Sequence, residues 1–388
     1  MRAIWLTTVF GLDWPATGQT ASQQESSLRE IIRQADEHGI NAVFFQAVSR
    51  SDAFYPSERL PWAPWLTGSA GEDPGWDPLQ VAVEEAHKRG MELHAWFNVF
   101  SIGNEATDIS ESAEPLHVRF THPEWVDTVF VDDGADRYWL NPGRPETREW
   151  VIENILEIVE KYDVDPIQDH THESMDFAWM LNDWMVHREG RHVYAGLGTY
   201  IEEVQDELPR QIDTTRAIGA QGHAHFRQAF LREQDLDGRY DTPALVPPIP
   251  WIGDEPPPAP VELAAERDQG SEEQASAHRK VHLTWDKPAI GRDPDPFLRF
   301  AIYRVPHGSY SDISGVISDP RNLVYVTGQT EYLDHIPSSG HEEFDYLVTS
   351  LTRNHIEGDP AMASVTVTSA DEEPEVVQEI SRKMTLVH

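Results

Sequence analysis

The 388-residue sequence contains no cysteine, only five lysines and no long apolar run. The absence of cysteine excludes disulfide bonds and thiol catalysis, and it fits either redox compartment. No stretch approaches the roughly 18–20 consecutive apolar residues of a membrane-spanning helix, so no membrane span is expected. The N-terminal text MRAIWLTTVF enters a strand pattern at once and lacks the features of a signal peptide. We therefore expect either a protein that stays inside the cell or one whose export signal has been lost or removed.

Positive charge is scarce as well. The sequence has 30 basic residues against 67 acidic ones, a formal net charge of -37. Self-repulsion on this scale destabilises a compact chain at low salt and is screened at high salt. The composition therefore indicates a salt-rich habitat, with an ordinary acidic surface as the alternative. It also argues against a nucleic-acid partner, because phosphate groups would be repelled.

The first part of the chain alternates strand and helix patterns. Continuous apolar runs rich in β-branched and aromatic residues are typical of parallel strands buried on both faces. Such strands are predicted at 2–9, 41–48, 91–98, 191–200 and 222–226. Amphipathic helices are predicted at 26–39, 77–90, 144–162 and about 203–218. The alternation predicts an α/β fold, either a TIM-type (β/α) barrel or an open doubly wound sheet.

The composition changes after residue 232. Residues 233–257 are rich in Pro and Asp and are interpreted as a semi-rigid linker. Residues 258–370 contain short alternating strands separated by turns, which predicts an antiparallel β-sandwich. Residues 371–388 form an acidic tail. The sequence thus predicts an α/β domain at 1–232 and an all-β domain at 258–370.

Several segments of the first domain resemble one known family. RAIWLTTVFGLDWP, NAVFFQAVSRSDAFYPSERLPWAPWLTG, DPLQVAVEEAHKRGMELHAWFN and YWLNPGRPETREWVIENILEIVEKYDVD look like the family-10-type glycosyl-hydrolase-like proteins. The resemblance implies a barrel linked to cleavage of bacterial glycan strands, including peptidoglycan stripped of its peptides. FAIYRV and FDYLVTSL are similar to a fibronectin type III module. The resemblance also suggests a periplasmic or extracellular location, whereas the sequence itself leaves the location open.

The resemblance breaks after YDVD, in the text PIQDHTHESMDF. The family pattern continues there with a pair of aspartates at the end of strand 4, and about thirty residues later this chain is already in the late-barrel motif. About six strands can be counted between residues 2 and 226, against eight in a complete barrel. We interpret the stretch as a junction where two βα units are absent. PIQ and RHVYAGLG are then expected to pair directly in a smaller barrel, with a crossover helix around MDFAWMLNDWM.

Glycoside hydrolysis needs two carboxylates that flank the scissile bond. Asp169 is the candidate nearest to the family's aspartate pair, and Glu173 is its possible partner. Solvated loop carboxylates are the alternative interpretation. His170 and His172 could instead bind a metal with one of these carboxylates, which would indicate a metal-dependent hydrolase. Surface histidines are the default interpretation, and no metal or other cofactor is expected.

Substrate-binding candidates follow the first two strands. Asp13 and Asp52 lie in strand-to-helix loops, where barrel active sites gather, and the resemblance places them in the family's sugar-binding cleft together with Trp14. Their alternative role is capping of loop amides. Trp62 and Trp65 in PWAPW offer flat apolar faces suited to carbohydrate recognition.

Further candidates end strand 3 and precede the fourth helix. His94, Trp96 and Asn98 alternate and should share one face of their strand. They could contact a sugar or simply pack. Asn141 in YWLNPG could bind substrate or fix its loop. Three functions stay open: a glycoside hydrolase acting on a bacterial polysaccharide, a non-catalytic carbohydrate-binding protein, and a metal-dependent hydrolase. The partner expected is a glycan, and the oligomeric state is not predicted.

Overall fold

The computed structural model describes residues 1–104, 113–129, 137–165, 167–168, 177–187, 190–199, 202–233, 236, 238–252, 255–267, 278–289, 298–337 and 343–367. The chain forms two compact units, Met1–Asp241 and Thr242–His388. Within the described residues, no helix is long and apolar enough to cross a bilayer.

The first unit is built on a parallel sheet of six strands. These are β1 (Arg2–Leu6), β2 (Ala42–Val48), β3 (Glu92–Phe97), β7 (Ile167–Gln168), β8 (Tyr194–Leu197) and β9 (Gly222–His225). Their order is β7-β3-β2-β1-β9-β8, and every neighbouring pair is parallel. The predicted α/β class with parallel strands is therefore confirmed.

Helices connect these strands. They are α1 (Ala21–Glu37), α2 (Pro64–Thr67), α3 (Pro78–Lys88), α4 (Val118–Thr121), α5 (Pro145–Lys161), α6 (Phe177–His187) and α7 (Glu202–Ile218). A three-stranded antiparallel sheet, which the sequence did not predict, lies between β3 and α5 in the chain. Its strands are β4 (Ser101–Asn104), β5 (Val126–Val129) and β6 (Arg137–Leu140).

Local sequence explains where the first helices begin and end. Thr20 caps α1 through a reciprocal capping box with Gln23, which satisfies amides at the helix N-terminus. Asp77 caps α3 by accepting from the backbone amide of Gln80. Gly39 and Gly90 follow the two helices with φ of 72° each, a conformation that favours glycine.

The two faces of the sheet bury different side chains. Ile4, Val43 and Leu93 are in register and belong to the core that α1 and α3 complete. The opposite face carries Trp5, Phe44, His94 and Trp96, together with Phe226 just after β9. Trp5 packs edge-on against Phe44 and against Trp96, with ring centroids 4.9 Å apart in both pairs. Because both faces of these strands are buried, their sequences are continuous apolar runs and do not alternate between polar and apolar residues.

The sheet is open in the part of the chain that the structure describes. There β7 bonds to β3 and β8 bonds to β9, so the predicted direct pairing of PIQ with RHVYAGLG is not found. A two-residue strand such as β7 offers few groups for a further ladder. Burial, and then the carboxylate of Glu92 on β3, raise the pKa of Tyr194 on β8. The predicted crossover helix is present as α6.

The second unit is an all-β sandwich. Its strands are β10 (Val261–Arg267), β11 (His278–Asp286), β12 (Arg299–Pro306), β13 (Leu323–Thr327), β14 (Glu331–Pro337), β15 (Glu343–Leu351) and β16 (Ala361–Thr366), with one short helix, α8 (Ile313–Ser318). The sheet orders are β10-β11-β14 and β13-β12-β15-β16, all antiparallel. Trp285 and Tyr346 from the two sheets lie in one core.

The segment proposed as a linker contributes to both units. Leu236 and Tyr240 pack against the core of the first unit. Ile249 donates its backbone N–H to the carbonyl of Asn354 in the second unit (2.9 Å). The division between the units falls at Asp241 and Thr242, which are both exposed.

Candidate functional site

The carboxyl ends of β1 and β2 meet at one edge of the parallel sheet, the edge where open α/β sheets and barrels bind ligands. Gln46 near the end of β2 is fully buried, and its Oε1 accepts from the backbone amides of Thr8 (2.9 Å) and Val9 (2.8 Å). The Thr8 hydroxyl donates to the Gln46 carbonyl (2.9 Å). These bonds hold the loop after β1 against β2.

Asp13 joins the loop after β1 to the chain after β9. Its side chain is fully buried and forms an ion pair with Arg227. Its two oxygens also accept from the backbone amides of Thr7 (2.9 Å) and Ala229 (3.2 Å). Asp13 thus fixes the loop after β1 to the chain after β9.

Asp52 plays a similar part after β2. It accepts from the Ser49 hydroxyl and from the backbone amide of Arg50 (2.9 Å). The Arg50 carbonyl in turn accepts from Nε2 of His117 (2.8 Å), whose Nδ1 accepts from the Arg119 amide (3.2 Å). Burial lowers the pKa of His117, which keeps the ring neutral in this tautomer. No local sequence pattern indicates the contact of His117 with Arg50, so this histidine was not among the predicted site residues.

Phe10, Arg50 and Trp65 form a cluster at this edge, here called the Arg50 cluster. The guanidinium carbon of Arg50 lies 4.9 Å from the ring centroid of Phe10 and 5.6 Å from that of Trp65. Phe10 and Trp65 meet edge to face, with centroids 5.6 Å apart. Phe10 is 52% exposed and adopts a φ of 59°, which is uncommon for a residue with a side chain. The cluster therefore presents an aromatic surface beside a cation.

Buried polar atoms without a protein partner accompany the cluster. Among the described residues, these atoms at the carboxyl ends of β1 and β2 are Oγ1 of Thr7, Nε2 of Gln46, Nε of Arg50 and Nε1 of Trp65. Buried polar groups are nearly always hydrogen-bonded in native proteins. A ligand bound at this edge can supply hydrogen bonds to these four atoms.

The other predicted tryptophans and strand residues lie deeper. Trp14 is 1% exposed, and its indole N–H donates to the Gln24 carbonyl (3.0 Å), so it offers no ring face to a ligand. Trp62 is half-buried against the same core. His94 stacks on Phe44 with centroids 4.5 Å apart, and its Nε2 lies 2.9 Å from the carboxylate of Glu92.

Trp96 and Asn98 complete the strand-3 set. Trp96 is buried against Trp5, on the face that the alternation predicts. Asn98 is half-buried and donates from Nδ2 to the Ser49 carbonyl (2.8 Å), which ties the end of β3 to the loop after β2. Asn98 therefore lies at the edge that carries the Arg50 cluster, whereas Trp96 lies within the sheet's packed face.

Asn141 directly follows β6. Its Oδ1 accepts from the Gly143 amide (2.8 Å) in the turn before α5, so it fixes its own loop. A cleft of about 450 Å³ is present near the start of α5 and is lined by Arg59, His122, Trp125, Glu146, Glu149, Trp150 and Glu153. The ring of His122 stacks on Trp125 at 3.7 Å.

The proposed catalytic pair, Asp169 and Glu173, lies outside the described residues, as do His170 and His172. Within the described ranges, no group of three or more His, Asp or Glu side chains could hold a metal ion. The carboxylates described at the carboxyl edge, Asp13 and Asp52, both accept bonds from their own loops.

The first half of the chain is similar in sequence to known proteins. Residues 1–192 match the family described as "Glycosyl hydrolase-like 10". Glycosyl hydrolase YngK of Bacillus subtilis is 38% identical over 168 residues, covering 43% of this chain and 32% of the relative. Glycosyl hydrolase DigH of Escherichia coli is 39% identical over 183 residues, covering 43% of this chain and 40% of the relative. The chain thus spans less than half the length of these relatives.

Among solved structures, a maltogenic α-amylase AmyB from Thermotoga neapolitana is 12% identical, with a TM-score of 0.32 over 94% of this chain and 99% of that one. A score this low supports no argument about the fold. The sequence matches, in contrast, are specific, and they support a glycosyl hydrolase-like family for the N-terminal half of this chain.

Proposed function

We propose that the protein binds a bacterial polysaccharide, such as peptide-free peptidoglycan strands, at the carboxyl edge of its parallel sheet and hydrolyses glycosidic bonds there. The observation that carries the proposal is the Arg50 cluster. An exposed aromatic ring, a second ring and buried donors lie together at the edge where this fold class binds ligands. The glycosyl hydrolase-like matches of the same half of the chain support the reaction class.

Hydrolysis requires two carboxylates facing the bond. We propose Asp169 and Glu173, because residue 169 directly follows β7 in the chain, and β7 neighbours β3 in the sheet. Asp13 and Asp52 are then positioning residues that shape the loops. The proposed sugar contacts are Phe10, Trp65 and Asn98, all on the first three strand-to-helix connections.

A second candidate function is carbohydrate binding without catalysis. It is favoured by one observation, that the described carboxylates at the carboxyl edge are both engaged by their own loops. The open sheet also favours binding without catalysis. With fewer strand ends than a closed barrel, it has fewer positions from which a second carboxylate could reach the glycosidic bond. We therefore expect slow hydrolysis.

We also propose that the second unit is a fibronectin type III-like domain. Its seven strands in sheets of three and four, around a shared core with Trp285 and Tyr346, support this assignment.

The test compares the wild type with Asp169→Asn and with Asp206→Asn, an exposed control on α7. Peptide-free glycan strands are incubated at molar KCl, and new reducing ends and bound strands are measured. Slow release by wild type and control, lost in Asp169→Asn, supports hydrolysis. Binding without release by any form indicates the non-catalytic function. An ordinary enzymatic rate would contradict the expected slow hydrolysis, and the absence of both binding and release would refute glycan recognition.

A further inference from the structure

Arg50 is a buried cation for which the described structure provides no ion pair. It is 6% exposed, and its Nε has no hydrogen-bond partner. Other sheltered arginines behave differently, since Arg89, Arg227 and Arg304 each pair with a carboxylate. Carboxylates are not scarce in a chain with 67 acidic residues. Within the described residues, Arg50 therefore differs from these three arginines in having no carboxylate beside its guanidinium.

The contacts that Arg50 does make hold its backbone and leave its charge unneutralised. Its amide donates to Asp52 (2.9 Å), and its carbonyl accepts from His117 (2.8 Å). The guanidinium carbon lies over the rings of Phe10 and Trp65, whose faces attract a cation but offer no hydrogen-bond acceptor to the unpartnered Nε–H. A buried cation without an anion destabilises the folded protein. The binding free energy of an anion should therefore be more favourable here than at the surface.

We infer that Arg50 recognises a carboxylate on the bound saccharide and so sets a preference for acidic glycans. The inference rests on the proposed function and names the substrate feature that the same site reads. A saccharide ring in contact with Phe10 lies next to the guanidinium, whose planar donors match the two oxygens of a carboxylate. Phe10 is the exposed member of the cluster and is the ring that a bound saccharide contacts in this proposal.

The overall charge favours a carboxylate over a phosphate or sulfate ester. A net charge of -37 repels every anion, and the repulsion grows with the charge on the ligand. A single carboxylate is the anion that a lone buried arginine can neutralise. The repulsion between exposed charges is screened at molar salt, whereas the buried contact is screened much less. Binding should therefore be measured at about 1 M KCl.

The test uses matched glycans. Peptide-free wall strands are prepared in their native form and with their carboxyl groups reduced to alcohols, and affinity is measured by titration calorimetry. We expect the wild type to bind the native strands about 10- to 100-fold more tightly, the usual effect of hydrogen bonds to a charged group. An oligogalacturonate serves as a second acidic probe: comparable binding places the preference in any sugar carboxylate, and weaker binding places it in the strands' own acidic sugar.

Two variants locate the effect. Arg50→Gln should lose most of the preference for native over reduced strands while keeping its affinity for the reduced strands. Arg50→Lys, which keeps the charge but loses the planar fork, should lose part of it. The control Arg33→Gln removes the same charge from the exposed surface of α1 and should behave as wild type. Thermal unfolding checks that each variant is folded.

The outcomes separate the inference from the proposed function. Equal affinity of the wild type for native and reduced strands overturns the role of Arg50 and leaves glycan binding standing; this result needs no variant. Equal weakening of both ligands by Arg50→Gln also overturns it, because the arginine would then support the loop. Failure of the wild type to bind either form overturns glycan recognition itself, and the inference with it.

Discussion

The pair His223 and His225 on β9 should make the first unit sensitive to acid. Both histidines are buried, and both place Nε2 against the hydroxyl of Tyr240, at 2.7 Å in the case of His225. Burial lowers the pKa of His225 from 6.5 to about 4. Burial, and then the neighbouring His225, lower the pKa of His223. Arg216, Arg2 and the amino group of Met1 lower the pKa of His223 further, and burial lowers the pKa of that amino group to about 5.

The sign follows from proton binding. Well above pH 6.5, His225 is neutral in both states and contributes nothing to pH dependence. As the pH falls through 6.5, the unfolded chain binds a proton at His225 that the folded chain does not bind until about pH 4, so the free energy of unfolding falls. From pH 8 to pH 5 the loss at His225 is about 2 kcal/mol, most of it below pH 6.5, since a difference of one bound proton corresponds to about 1.4 kcal/mol per pH unit. His223 adds a loss of the same sign.

Acid also neutralises carboxylates and relieves repulsion in this chain, so the assay must be differential. Urea unfolding is followed by tryptophan fluorescence from pH 8 to pH 5 at fixed high salt, because 11 of the 13 tryptophans precede residue 242. The free energy of unfolding of the wild type should fall by about 2 kcal/mol more than that of His225→Gln. His38→Gln, at an exposed histidine after α1, should parallel the wild type. Parallel curves for wild type and His225→Gln would refute the reasoning.

Three further predictions concern stability and domain organisation. Glu157→Gln should lower the free energy of unfolding by about 2–3 kcal/mol in urea titrations, because its buried carboxylate accepts from Tyr55, Ser57, the Glu58 amide and Lys161; the exposed control Glu160→Gln should change it by less than about 0.5 kcal/mol. Thermal midpoints should climb from low to molar KCl because screening relieves carboxylate repulsion, and a flat series would remove the salt-rich interpretation. Limited proteolysis should cut first within 233–257, near the exposed division between the units; a first cut inside either unit would contradict that boundary.

The sequence by itself determined the elements of the first unit. Runs such as 41–48 predict strands buried on both faces because a parallel sheet covered on both sides has no polar face. The ends of α1 and α3 could also be predicted from the sequence, because Gly39 and Gly90 adopt the left-handed conformation that ends a helix. The antiparallel strands 101–104, 126–129 and 137–140 escaped prediction because four residues are too few to show a period.

Only the tertiary structure decided which contacts the candidate residues make. Asp13 binds Arg227 and the Ala229 amide, which are more than 200 positions away in the chain. The pairing of β1 with β9 brings them to its side chain. Arg50 gained its unpaired charge and its aromatic neighbours because Phe10 and Trp65 follow different strands that end at one edge. Local patterns report burial and backbone conformation. Which side chains meet across strand ends depends on strand order, and strand order is a property of the folded sheet alone.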